Sequence, residues 1–164
     1  MTIRKVTPSD DFAAIGEIYA QSWKTAYRGI VPQDYLDALT GEHWSARLRD
    51  AHRGAYVAID GGKYAGTASV TPARDAKMPG WGELISIYLL PEYFGAGVAA
   101  PLFDCAMSAL ADMGFEAVYL WVLEGNLRAR KFYEKHGFHA NGDTETLTIA
   151  GRELVEIRYT RQRK

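Results

Sequence analysis

Two stretches near the middle of the chain, Leu84-Ile85-Ser86-Ile87-Tyr88-Leu89-Leu90 and Ala117-Val118-Tyr119-Leu120-Trp121-Val122-Leu123, are apolar almost without interruption. A half-buried strand alternates with a period of two. A near-continuous run fits a strand covered on both faces, as in parallel sheet. Between the runs, Val98, Leu102, Phe103, Ala106, Met107 and Leu110 fall on one helical stripe from about Gly97 to Met113, closed by Gly114. Strand, helix and strand in this order predict a βαβ unit with a right-handed crossover.

The flanks read differently. Ile3 to Val6 fits a short strand ending at Thr7-Pro8. Ser9 or Asp10 can then cap a helix bearing Phe12, Ile15, Ile18, Tyr19 and Trp23. That helix should fade near Tyr27-Arg28-Gly29. Pro32 can start another with Tyr35, Leu36, Leu39, Trp44 and Leu48, broken near Gly41. Ala55–Ile59 and Tyr64–Thr71 flank a hairpin turn at Asp60-Gly61-Gly62, and a loop rich in Pro and Gly runs from Pro72 to Gly82. Asn126 opens a helix with Ala129, Phe132 and Tyr133, ended by Gly137. Two last strands, Phe138–Ile149 and Arg152–Thr160, pair across Ala150-Gly151. The predicted class is α/β: a mixed α+β sheet with antiparallel hairpins at both flanks, one parallel pair in the middle and helices on both faces. All of it fits a single domain over 1–164.

Composition narrows the function classes. The 19 basic and 20 acidic residues leave a formal charge of −1, which gives no global attraction to nucleic acid or anionic membrane. The basic ending from Arg158 to Lys164 reads as a solvated tail. One cysteine, Cys105, on an apolar helical stripe, excludes an intrachain disulfide framework and a multi-cysteine zinc site, and His43, His52, His136 and His139 lack metal-ligand spacing. No metal is expected. No apolar run approaches the roughly 18–20 residues of a membrane span, and the start reads as no signal peptide, so a cytoplasmic protein is expected.

The chemistry concentrates at Phe94-Gly95-Ala96-Gly97-Val98-Ala99-Ala100, between the first apolar run and its helix. Glycines let backbone N–H groups face a ligand, and a helix start adds unpaired donors and positive dipole. A phosphate or pyrophosphate suits such a turn. The same residues also fit G-x-G-x-x-A, a dinucleotide fingerprint, with Glu124 near the position of the ribose-binding acid. Against that reading, Pro91-Glu92-Tyr93-Phe94 separates strand from glycines, and the repeated βαβαβ halves are missing.

Taken together, Leu89 to Ala99 and Leu120 to Phe138, with its Asn126-Leu127-Arg128-Ala129 and Phe132-Tyr133…Gly137-Phe138, resemble the GNAT superfamily of N-acetyltransferases. The first segment is similar to the acetyl-CoA pyrophosphate loop, Q/R-x-x-G-x-G/A. Trp23 to Pro32 resembles the amino-terminal segment of many bacterial members. The resemblance implies a splayed parallel strand pair and acetyl transfer from acetyl-CoA to a primary amine, small or peptidic, in a ternary complex. It implies a main-chain N–H of Leu89 or Leu90 on the thioester carbonyl. The amides of Gly95, Ala96, Gly97, Val98 and Ala99 would hold the pyrophosphate, Asn126 would contact the coenzyme, and Tyr133 would act as general acid. Phe94 stands where the pattern has Gln or Arg, so a polar contact is lost there. Trp23 and Tyr27 would border the acceptor pocket. A non-catalytic acyl-CoA-binding module is the alternative on the same fold, and the terminal strands offer a surface for a homodimer.

Attack on a thioester needs a neutral amine. At pH 7 a primary amine of pKa about 10.4 is neutral in roughly one molecule in a few thousand, a deficit of about 4–5 kcal/mol. Glu83, at the start of the first apolar run, is the leading proton acceptor by analogy with the family; Glu124 and Tyr88 are weaker candidates. A thiolate leaving group needs a proton, which a tyrosine hydroxyl near pKa 10 can donate.

Overall fold

The two apolar runs do become neighbouring strands with both faces covered. The computed structural model describes residues 1–162. Strands β1 (Thr2–Lys5), β2 (Ala55–Asp60), β3 (Lys63–Pro72), β4 (Gly82–Leu89), β5 (Ala117–Leu123), β6 (His139–Ile149) and β7 (Arg152–Gln162) form one sheet, ordered β1-β2-β3-β4-β5-β7-β6. Every neighbouring pair is antiparallel except β4 and β5. One parallel pair cannot supply the repeated parallel halves of a dinucleotide fold, so the fingerprint reading of Gly95 to Ala100 is set aside.

Helices α4 (Ala99–Asp112) and α5 (Leu127–Lys135) lie on one face of the sheet, and α1 (Phe12–Ala26), α2 (Gln33–Ala38) and α3 (Glu42–Asp50) on the other. Alternate residues of β5 enter opposite layers: Val118, Leu120 and Val122 pack with Leu102, Phe103 and Leu110 of α4, whereas Leu123 joins Ile15, Tyr19, Leu36 and Trp44. That division explains the run of apolar residues. The predicted break near Gly41 separates α2 from α3 and has a packing reason. A Cβ on Gly16 would lie 2.2 Å from the Gly41 carbonyl oxygen, so α1 and the start of α3 touch backbone to backbone.

Two expectations are corrected. The α1 cap is Asp11, whose Oδ1 accepts from the Ala14 N–H at 3.0 Å, rather than Ser9 or Asp10. Asp10 is buried and instead accepts from Arg4 Nη2 at 2.6 Å, Arg4 Nη1 at 2.8 Å, Tyr64 Oη at 2.7 Å and the Thr7 N–H at 2.7 Å. It ties β1 and β3 to the start of α1. The basic ending is also no solvated tail over its described part, because β7 runs to Gln162 and Arg158 is only 4% exposed. Lys164 and Arg163 lie outside the described residues.

The Arg4 guanidinium, aided by Tyr64 and Thr7, holds the Asp10 carboxyl well below the usual carboxylate range. A depressed folded-state pKa contributes stability above the unfolded value of about 3.9 and loses it as pH falls below that. Asp10→Asn should therefore cost about 1–3 kcal/mol at pH 7, the lower end reflecting the partial exposure of Arg4. Urea unfolding from pH 7 down to 2 should show the gap between wild type and variant closing below about pH 4.

Candidate active site

The β4–β5 ladder is short. Its parallel pairs are Gly82 with Val118 and Glu83 with Tyr119, and nothing further along. The cause lies on the other edge of β4. Ser69 pairs with Ser86 and Val70 with Leu84, so Ile85 is an extra residue, a β-bulge that bends β4 away from β5. Beyond it the strands part around a cleft of about 780 Å³. The open edge of β4 can be read from the pleat. The Leu90 N–H donates to the Ala65 carbonyl at 2.9 Å. Alternation then turns the N–H groups of Tyr88 and Leu90 towards β3, and those of Ile87 and Leu89 into the cleft. Of the two expected thioester donors, Leu90 is thus already engaged, while Leu89 faces the gap.

The glycine turn closes one end of the cleft. Pro91–Tyr93 forms a 3-10 turn, and Gly95 and Gly97 take φ of 75° and 81°, the left-handed region where a side chain is strained. The Phe94 and Ala96 amides serve the turn itself, donating to Pro91 and Tyr93. Among the described residues the amides of Gly95, Gly97, Val98, Ala99 and Ala100 have no acceptor. The Val98 side chain is buried in the core and fixes the helix start. Where the family pattern has Gln or Arg, the Phe94 ring carries the Arg128 guanidinium, 3.7 Å from its centroid. Arg128 lines the cleft, and a cation–π contact holds it there.

The walls are aromatic. Tyr133 is 8% exposed, packed edge-on against Phe132 and Phe138. Burial, then the nearby Tyr88, pushes its hydroxyl well above the ordinary tyrosine value, so it stays protonated. Trp23 and Tyr27, at the end of α1, stack at 4.8 Å and line the same cleft, as does Tyr88. Both readings of Asn126 hold together: its Oδ1 caps α5 by accepting from the Ala129 N–H at 3.3 Å, and its side chain borders the cleft. Glu124 is exposed and does not line it.

Glu83 is buried at the cleft floor. Its oxygens accept from four donors: Arg74 Nη2 at 2.7 Å, Arg74 Nε at 3.1 Å, the Arg74 N–H at 3.1 Å and Tyr119 Oη at 2.8 Å. Burial alone would raise its pKa, but the donors from Arg74 and Tyr119 outweigh it and lower the value. The same burial and the Glu83 charge push Tyr119 up to about 12. Past Glu83 the cleft adjoins a second cavity of about 620 Å³ under β6 and the β3–β4 loop, in which Glu83, Arg74 and Glu156 also take part. Arg158 there pairs with Asp75, donates to Asp143 at 3.0 Å and lies over the Trp121 ring at 4.6 Å.

The sequence reading had not marked Arg128, Arg158 or Glu156. Arg128 stands within a segment already quoted, yet its partner Phe94 is on another element. For Glu156 and Arg158 the available signal was alternation in Leu154-Val155-Glu156-Ile157-Arg158-Tyr159, which puts both charges on one face of a strand.

The sheet is opened at its single parallel pair, with a glycine turn and a helix start at the mouth of the cleft, and the family match makes the protein an acyltransferase. The model of the acetyltransferase (GNAT) family matches residues 13–138, and the chain belongs to that family. It is 31% identical over 150 residues to the uncharacterised N-acetyltransferase YuaI of Bacillus subtilis (strain 168), covering 90% of this chain and 86% of that one. To an uncharacterised N-acetyltransferase of Mycobacterium tuberculosis (strain ATCC 25618 / H37Rv) it is 32% identical over 142 residues, with 84% and 86% covered. The fold is similar to that of the PaiA N-acetyltransferase of Thermoplasma acidophilum in complex with coenzyme A, with a TM-score of 0.74, 20% identity and 98% of both chains covered.

Glu83→Gln should test the clamp. An amide brings its own donors to a site that already supplies four. The loss should be about 1–3 kcal/mol, discounted because the Arg74 side chain is 62% exposed. The guanidinium chloride midpoint at pH 7 measures it, with the slope unchanged.

Proposed function

We propose that the protein transfers an acetyl group from acetyl-CoA to a primary amine, by direct attack while both are bound. One observation carries this: the open β4 edge at Ile87 and Leu89 leads along a single cleft to the free amides of Gly97, Val98, Ala99 and Ala100. A thioester with a pantetheine arm and a diphosphate has complementary groups at those two places. The open space above Gly95 and Gly97, where an added Cβ meets nothing within 4 Å, fits a bulky phosphate.

On this reading the turn amides and the α4 dipole hold the diphosphate. Arg128, parked on Phe94, supplies the cation that the departure from Gln or Arg removed. The Leu89 N–H donates to the thioester carbonyl, where negative charge develops during attack. Asn126 borders the pantetheine path. Tyr133 gives its proton to the departing sulfur, its hydroxyl being protonated at working pH. Trp23 and Tyr27 wall the acceptor side. Glu83 we assign a positioning role: held by the Arg74 guanidinium and main chain and by Tyr119, it fixes Arg74 and the β3–β4 loop.

Thiol release from acetyl-CoA is the direct test, with spermidine, an aminoglycoside, lysine and a short peptide with a free N-terminus as acceptors. Release that depends on an amine is expected. Binding of coenzyme A without release with any of them would overturn catalysis and leave an acyl-CoA-binding module. Tyr133→Phe should lower kcat about 10–100-fold while the affinity for coenzyme A, measured by calorimetry, changes less than about threefold.

A further inference from the structure

Attack by the amine requires a proton acceptor in the cleft besides the acid that protonates the sulfur. Four side-chain carboxylates come into question near the opening. Glu83 accepts three hydrogen bonds on Oε2 and one from the Arg74 guanidinium on Oε1, which hold it as an anion with a lowered pKa. Glu124 does not line the cleft. Glu145 lines the second cavity only. Glu156 lines both, at the junction of the cleft with the polar cavity under β6.

Its setting is unusual for a structural residue. Glu156 sits half-buried on β7, directly opposite Leu123 of β5 and Glu145 of β6. Two carboxylates facing each other across a ladder destabilise a sheet. Among the described residues Glu156 makes no hydrogen bond and no ion pair, although Arg74 is within electrostatic reach. Glu156 and the proposed acid, Tyr133, line the same cleft, with Tyr27 and Tyr88.

We infer that Glu156 is the proton acceptor for the amine, which reaches the thioester from the β6 side. This rests on the transferase reading above. The acceptor ammonium gives one proton to the Glu156 carboxylate. The neutral nitrogen then forms the N–C bond as the C–S bond breaks. Tyr133 protonates the sulfur and is restored by the second proton leaving nitrogen, so that product amide, free thiol and one proton on Glu156 balance the reaction.

The groups around Glu156 set its pH behaviour. They are Glu145 on β6, Arg74 in the β3–β4 loop, Glu83 and Tyr88 on β4, Tyr27 at the end of α1, and Arg158 on its own strand. Burial first, and then Glu145, raise the Glu156 pKa, while Arg74 opposes them. A raised pKa makes the carboxylate a better proton acceptor near neutrality, and activity should fall as pH drops through it.

The test uses the intact protein with whichever amine of the panel it acetylates. Glu156→Gln should lower kcat/KM about 100-fold or more at pH 7. Its activity should then rise about tenfold per pH unit where the wild type is level, because only amine already neutral can react. Binding of coenzyme A and the thermal midpoint should stay near wild type. Glu145→Gln should move the acid limb of log kcat/KM to lower pH, an effect a merely structural glutamate would not produce. Wild-type activity and an unaltered pH profile in Glu156→Gln would overturn the inference and leave the transferase reading standing. If that variant does not fold, an unmoved acid limb in Glu145→Gln overturns it instead. Failure of every amine with the wild-type protein overturns the transferase reading, and this inference falls with it.

Discussion

One extra residue in one strand governs the site. Had β4 continued in register past Ile85, its outer edge would have paired with β5, and the sheet would have closed. The bulge ends the parallel ladder after Glu83 and leaves the N–H groups of Ile87 and Leu89 facing an apolar gap. Unpaired backbone donors in such surroundings are costly, each about 1–3 kcal/mol if no partner arrives. The sheet tolerates the cost because the rest of it is well paired: β3 holds the inner edge of β4, and both helical layers cover its faces. A ligand that offers strand-like acceptors recovers that energy on binding, which is the physical basis for the proposal that an acyl-pantetheine arm lies there.

The two cleft carboxylates illustrate how environment divides labour between identical groups. Glu83 and Glu156 are both partly withdrawn from water. Glu83 receives a guanidinium, a main-chain amide and a phenol, and its pKa falls. Glu156 receives no hydrogen bond among the described residues, and burial, then the like charge of Glu145 across the ladder, raises its pKa. The first is therefore fixed as an anion and serves as an anchor for the loop above it. The second is the one whose surroundings disfavour its charge. Sequence position favoured Glu83, since it begins the apolar run. The donor arrangement around each residue, which only the fold discloses, is the ground on which Glu156 is proposed instead.

Legibility in the sequence tracked the range of the interaction. The βαβ unit could be read because burial on both faces leaves a continuous apolar run, and the glycine turn because positive φ demands glycine locally. The break at Gly41 was also visible, though its cause, contact with Gly16, was not. Local signals failed where a side chain chose a distant partner. Asp10 is a good cap by composition, but Arg4 and Tyr64 claim it, and Asp11 caps α1 in its place. Arg158 looked like the start of a basic tail and is instead an interior cation held by Asp75 and Asp143 over Trp121. Phe94 looked like a loss, until α5 laid Arg128 on its ring.

A near-neutral chain also conceals local charge. The formal charge of −1 says nothing of how charge is placed, and the polar cavity beside the cleft gathers five carboxylates, Asp75, Glu83, Asp143, Glu145 and Glu156, against Arg74, Lys77 and Arg158. Pairing removes most of these from play: Arg74 neutralises Glu83, and Arg158 is shared by Asp75 and Asp143. What remains exposed to an entering molecule is Glu145 and Glu156, opposed by Lys77. The residual field attracts an ammonium and repels an anion, and its strength falls with salt over a Debye length of about 8 Å at physiological ionic strength. An amine drawn in by that field would lose its attraction once it had given its proton to Glu156. On the proposed mechanism, the same charge helps the cationic acceptor enter and then stops holding it when the neutral nucleophile must move to the thioester.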